Sequence, residues 1–173
     1  MSTVTIPNPH QKALRQEFDD LFREHYPLVY RTAFSVIFNA EDAEDVVQTV
    51  FLRILRNGLP SGVTNPKGYL YRAAVNEALN VVRSRRNTEN APQIRFERIA
   101  DTNNSQDEPS MSARIAEAMT HLNPSAVEML VLRYEHHYSD AEIGKLLGKS
   151  RGVVAVTLFR ARARLKKLLG GKR

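Results

Sequence analysis

Residues 138–173 read YSDAEIGKLLGKSRGVVAVTLFRARARLKKLLGGKR, and the way this stretch divides into helices decides the fold. Ser139 and Glu142 have the spacing of a capping box, in which the Ser oxygen accepts from the third helical N–H and the Glu carboxylate reaches back. Ile143, Leu146 and Leu147 form one apolar side of a short helix, and Gly148 is placed to supply the left-handed residue that ends it. Ser150 stands where it can cap a second helix. There Val154, Leu158, Ala161, Leu165 and Leu168 recur at steps of four and three, while Arg151, Arg160, Arg162, Arg164, Lys166 and Lys167 spread over the remaining surface. From Lys145 onward the sequence has ten Lys and Arg and no Asp or Glu. Two short helices joined by a Gly-containing turn, the second one basic, make a helix-turn-helix pattern, which sets a recognition helix in the major groove. On this block alone, a helical hairpin with a solvated basic face is the competing reading.

The chain has 173 residues, 42% of them hydrophobic, with 25 Lys and Arg against 19 Asp and Glu. That suits one domain or two small ones with an ordinary core. A formal charge of +6 and a pI near 9.8 favour a polyanionic partner, either nucleic acid or an anionic membrane surface. No apolar run approaches the roughly 20 residues of a membrane span. The opening MSTVTIPNPHQK holds no apolar signal region. The expectation is a cytoplasmic protein without membrane insertion. With no Cys, a disulfide framework, Cys-based zinc sites and thiol catalysis are excluded.

Upstream, residues 87–112 are rich in Asn, Asp, Ser and Pro, with five acids against Arg95 and Arg98, which is linker composition. The block before it, residues 11–86, contains three helical segments. Asn39 caps a run with Asp42 three residues on, and Asn65-Pro66 places a capping Asn before a first-turn Pro. The block after it, 113–170, repeats that start at Asn123-Pro124. No useful strand-like alternation appears. The expected fold is all-α: two small helical domains joined by a flexible linker, the second containing the helix-turn-helix.

Two helices of the first block are two-sided. In DAEDVVQTVFLRIL, from Asp42, the residues Val46, Val47, Val50, Phe51 and Ile54 make a wide core stripe. Asp45, Gln48, Thr49 and Leu52 share another face, whose mixture of acid, amide, hydroxyl and exposed Leu suits protein docking as well as plain solvation. In GYLYRAAVNEALNVVRSRR, from Gly68, the residues Leu70, Ala74, Ala78 and Val81 point one way, and Tyr69, Arg72, Asn76, Asn80 and Arg83 line another. Arg and Asn read base edges or bind phosphates, and aromatic rings stack on unpaired bases; a solvated polar face remains the alternative.

In this order and spacing, YPLVYRTA, DAEDVVQTVFLRIL, GYLYRAAVNEAL with RSRR, a polar linker, LNPSAVEMLVLRY and the helix-turn-helix resemble an extracytoplasmic-function sigma factor of bacterial RNA polymerase. The likeness runs from Phe18 to Leu169. It implies a first domain that grips the polymerase β′ clamp and opens the −10 element, and a second that docks on the β-flap and reads the −35 element. It also implies no regulatory N-terminal extension and no large middle domain, and it admits an anti-sigma factor as a further partner. Carried over by position, Asp42, Glu44, Asp45, Gln48 and Phe51 fall on the clamp-binding helix, which Leu52 joins. Arg72 and Asn76 fall on the −10 helix, with Tyr69, Asn80 and Arg83 on the same side. The segment from Asn57 through Lys67 to Gly68 falls on the loop that pockets a base flipped from the non-template strand. For the −35 element the implied set is Arg151, Ala155, Val156, Thr157, Phe159, Arg160, Arg162 and Arg164.

Two departures stand out. Family members often carry a Lys or Arg, then Ser, then Arg where this chain has Ala155-Val156-Thr157, and an Arg where it has Val75. The groove-facing front of the recognition helix is therefore poor in long donors, which leaves thymine methyls and phosphates as its available contacts. Adjacent His136 and His137, about 100° apart on a helix, do not make the spaced pair of a metal helix. No phosphate loop, nucleophile elbow or triad is evident, so neither a cofactor nor an enzymatic activity is expected. Two other classes remain: a helix-turn-helix regulator that acts without joining polymerase, and a membrane-surface protein that uses the basic C-terminal helix.

Overall fold

A computed structural model describes residues 9–89 and 109–170, and among them every regular element is an α-helix. The first block comprises α1 (Pro9–Ile37), α2 (Ala40–Asn57) and α3 (Pro66–Glu89). The second comprises α4 (Met111–Thr120), α5 (Pro124–Tyr134), α6 (Asp140–Leu147) and α7 (Arg151–Gly170). The stretch of linker composition, 87–112, overlaps two helices at its ends. Residues 87–89 continue α3, and 111–112 already belong to α4, a helix whose polar, Ser-rich start hid it; residues 90–108 lie outside the described part.

The expected caps are present. Asn39 accepts from the Asp42 N–H at 3.0 Å and opens α2. Asn65 Oδ1 accepts from the Gly68 N–H at 3.1 Å and opens α3. Asn123 accepts from the Ser125 N–H at 2.9 Å, with Pro124 in the first turn. Each side chain satisfies an N–H that has no partner within its own helix.

The core stripe of α2 buries Val46, Val47, Val50, Phe51 and Ile54 against α1 and α3. Leu70, Ala74 and Ala78 do the same from α3. Aromatic rings extend this core along α1: Phe22 meets Phe51 edge-on at 4.8 Å between centroids, and Tyr26 stacks on Tyr30. In the second block α5 packs on α6 and α7.

The two blocks also pack directly on each other. On α5, the seven consecutive residues Ala126 to Leu132 are all buried, because α6 and α7 cover one side and α1 and α3 the other. A helix that is apolar nearly all round requires such a double cover. Polar contacts rim the junction: Arg31 donates to the Glu135 carboxylate at 3.0 Å, the Thr32 hydroxyl pairs with His136 Nε2 at 2.9 Å, and Asn65 Nδ2 donates to the Leu146 carbonyl at 3.3 Å. His136 and His137 lie outside any helix, against the helical placement expected from the sequence. They follow α5 in a connection where His137 takes a positive φ of 59° and the His136 ring packs against Tyr71. Among the described residues no group of three or more His, Cys, Asp or Glu is arranged to hold a metal.

Candidate nucleic-acid and protein interfaces

The turn between α6 and α7 is built by backbone proximity. Ser139 Oγ accepts from the Glu142 N–H at 3.3 Å, and the Glu142 carboxylate accepts from the Ser139 N–H at 2.8 Å, which closes the capping box. The Ser139 bonds also hold the exposed Glu142 carboxyl below its ordinary range. Gly148 takes φ 65° and ψ 37°, the left-handed conformation that ends α6. The Lys149 N–H then donates to the Gly144 carbonyl at 2.8 Å, and a Cβ on Gly144 would meet the Lys149 carbonyl oxygen at 2.5 Å. Ser150 Oγ accepts from the Val153 N–H at 3.3 Å and starts α7.

Val154, Leu158 and Ala161 of α7 are buried, and Leu165 is half-buried. Leu168 is 39% exposed, so the buried apolar stripe ends a turn earlier than its spacing predicts. The two terminal arginines of the expected −35 set are tethered within their own block: Arg162 donates to the Tyr134 hydroxyl at 3.2 Å, and Arg164 to the His121 carbonyl at 3.3 Å. Arg151 and Arg160 are exposed. At the front of the helix only Val156 of the Ala155-Val156-Thr157 trio is exposed; its neighbours are half-buried flanks. Val153 and Phe159 flank Val156 on the outer surface, and Val153 is an addition to the expected set. Its signal was present as the three-residue spacing of Val153, Val156 and Phe159, on the side opposite Val154 and Leu158.

On α2, Asp45, Gln48 and Leu52 face outward as expected. Asp42 and Glu44 are engaged internally: Asp42 pairs with Arg85 of α3, and Glu44 accepts from the Tyr26 hydroxyl. That bond to Glu44 raises the Tyr26 phenol above its ordinary range. Next to the outward face, Phe18, Leu21, Ile54, Leu55 and Leu59 line an apolar groove of about 440 Å³. Leu52 and Leu55 leave a continuous apolar edge beside it.

On α3, Arg72, Asn76, Asn80 and Arg83 are exposed and Tyr69 is half-buried. Asn57 is exposed at the end of α2, and Lys67 sits 5.5 Å over the Tyr138 ring. Arg72 and Asn76 line a crevice of about 130 Å³ with Pro124, Ser125 and Glu128 of the second block. Arg83 donates to the Thr120 carbonyl at 3.3 Å. Several of the residues assigned to the −10 element thus lie along the junction of the two blocks, a placement that no local pattern reveals.

Residues 21–88 match the family model for Sigma-70 region 2, and residues 112–165 match that for Sigma-70 region 4. CarQ, an RNA polymerase sigma factor of Myxococcus xanthus, is 30% identical over 88% of this chain and 89% of its own length. The ECF sigma factor SigE of Mycolicibacterium smegmatis is 31% identical over 96% of this chain and 67% of its own length. The chain belongs to the extracytoplasmic-function sigma factors. Its fold matches two solved structures at 22% identity. One is the sigma factor RpoE in complex with the anti-sigma factor NepR from Bartonella quintana, with a TM-score of 0.51 over 91% of this chain and 99% of that one. The other is CnrH in complex with the cytosolic domain of CnrY, with a TM-score of 0.53 over 92% and 91%. The match to region 2 removes the reading of a regulator built only on a helix-turn-helix. Among the described residues no helix is long and apolar enough to cross a membrane.

Proposed function

We propose that this sigma factor joins core RNA polymerase through the outer face of α2 and brings two DNA-reading helices to a promoter. Asp45, Gln48 and Leu52, with the neighbouring apolar groove, form the surface for the β′ clamp. Asn57 and Lys67 bracket the loop before α3, which takes a flipped base, while Tyr69, Arg72, Asn76, Asn80 and Arg83 serve the −10 element as its strands part. The α4–α7 unit docks on the β-flap and sets the front of α7 in the major groove of the −35 element. Its role is to confer specificity, with no catalysis and no cofactor of its own. An anti-sigma factor belongs to this proposal as a partner, since both structural relatives are bound to partners and one of these is described as an anti-sigma factor.

The observation that carries the reading is the closed helix-turn-helix of α6 and α7, preceded in the same chain by a region 2 unit with an outward acidic and amide face. Run-off transcription with core polymerase on a genomic promoter library tests it. The expected result is initiation from a defined set of promoters that depends on this chain. A failure to associate with core polymerase would overturn the reading.

A further inference from the structure

Val153, Val156 and Phe159 are among the largest exposed apolar side chains of the described residues, at 50%, 49% and 68% exposure. They recur every three residues and project from α7 on the side opposite its buried stripe of Val154, Leu158 and Ala161. Gly152 and Ala163 lie on the same outer side. A Cβ on Gly152 would meet nothing within 4 Å, so this surface is open to close approach. Arg160 continues the strip toward the C-terminus, and Lys149 and Arg151 stand at its start, with no acid anywhere from Lys145 onward. An apolar strip framed only by cations suits a partner that is anionic at its edges and apolar at its centre.

We infer that Val153, Val156 and Phe159 form an apolar reading edge that selects thymine in the −35 element through its 5-methyl group. The inference rests on the placement of α7 in the major groove proposed above. In that groove the edges of guanine, cytosine and adenine present hydrogen-bonding atoms, and thymine alone adds a methyl group. Val and Phe side chains have no donor or acceptor with which to read the former. The N-terminal residues of a recognition helix face the base edges, and all three side chains lie within the first half of α7. Cations around the strip bind phosphates and fix register without choosing sequence. Specificity in this helix therefore comes from methyl contacts, with Arg160 as the one long donor at the strip itself.

The test uses the full chain assembled with core polymerase. Randomised −35 elements are selected for binding, and each thymine in the selected sequence is then replaced by deoxyuridine, which removes the methyl and keeps every hydrogen bond. The selected elements are expected to hold thymines at two or more adjacent steps, and each replacement to weaken binding about fourfold, the effect of one buried methyl. Val156→Ser and Phe159→Ser, both at exposed sites, are each expected to lose the preference for thymine over deoxyuridine at one step while keeping it at the others, with helix content unchanged by circular dichroism. Equal binding of thymine and deoxyuridine elements by the unsubstituted protein overturns the reading edge while leaving the sigma-factor assignment intact. A selection that returns no −35 preference at all, from a holoenzyme that does assemble, overturns the placement of α7 as well.

Discussion

Arg72 of α3 stands 3.8 Å from the carboxylate of Glu128 on α5, so a residue assigned to promoter DNA is paired with an acid of the other block. Glu128 is 2% exposed, and its Oε1 has no hydrogen-bond partner among the described residues. One long contact to a largely exposed guanidinium does not offset the cost of burying a carboxylate. Burial accordingly pushes the Glu128 carboxyl up to about 7, against the opposing pull of Arg72 and Lys149. Elsewhere on the junction of the blocks, burial pushes His136 down to about 4, with Arg31 adding to the effect.

These two groups make opposite contributions to stability as pH changes. Between about 4.5 and 7 the folded chain keeps a proton on Glu128 that the unfolded chain releases, so this contribution to stability falls as pH rises. Between about 4 and 6.5 the unfolded chain holds a proton on His136 that the folded chain lacks, so that contribution rises with pH. The two oppose each other across their shared window. Glu128→Gln should leave a melting temperature that rises from pH 5 to 6.5, with stability at pH 8 higher by up to about 3 kcal/mol. His136→Gln should leave one that falls over the same range. Thermal melts in both variants check this, and parallel pH profiles for all three proteins would contradict it.

Gly68 tests the junction of the blocks separately. A Cβ there would come within 2.9 Å of the Leu146 carbonyl oxygen on α6. Gly68→Ala favours α3 itself by roughly 1 kcal/mol yet pushes α6 away. The expected result is an unchanged or higher helix content with a larger radius of gyration by small-angle scattering. An unchanged radius would mean that the contact of α3 with α6 does not hold the blocks together in solution.

On α2 the structure separates two kinds of acid. Asp45→Arg with Gln48→Ala alters exposed side chains and should weaken competition for core polymerase by about tenfold or more at unchanged melting temperature. Glu44→Gln instead weakens the bond from Tyr26 and should lower stability by about 1 kcal/mol while leaving assembly nearly unaffected. Competition binding and thermal melts on both proteins decide the matter, and equal competition by the double variant would remove α2 from the polymerase surface.

For α3, loss of Arg72 and Asn76 together should impair strand opening more than closed-duplex binding. Permanganate reactivity of unpaired thymines at matched promoter occupancy is the measurement. Normal reactivity in Arg72→Ala/Asn76→Ala would place the −10 contacts elsewhere.

The helix-turn-helix gives a graded stability series. Ser139→Ala removes the cap and should cost about 1 kcal/mol. Gly148→Ala strains a left-handed residue at a cost of about 1 kcal/mol. Gly144→Ala brings a Cβ against a backbone oxygen that cannot move without opening the turn, and should cost the most, about 1–3 kcal/mol. Denaturant melts of the full chain rank the three, and a Gly144→Ala as mild as Ser139→Ala would mean that the turn relaxes easily.

Much of this protein is determined locally and was therefore legible in the sequence. The capping box at Ser139, the left-handed Gly148, the Asn caps at 39, 65 and 123 and the core stripes of α2 and α3 depend on residues a few positions apart, where helical periodicity and short-range hydrogen bonds set the outcome. The outward face of Asp45, Gln48 and Leu52 follows from the same periodicity. At α4 the start signal is present, since Ser110 accepts from the Ala113 N–H, but the linker-like composition around it conceals it. What the tertiary structure alone decided is which faces meet. Asp42 and Glu44 lie within one helical turn of Asp45 yet are taken up by Arg85 and Tyr26, and Arg72 finds Glu128 because α5, apolar nearly all round, needs a second cover that α1 and α3 supply. Periodicity shows that a helix has two faces to bury; only the packed chain shows what buries the second.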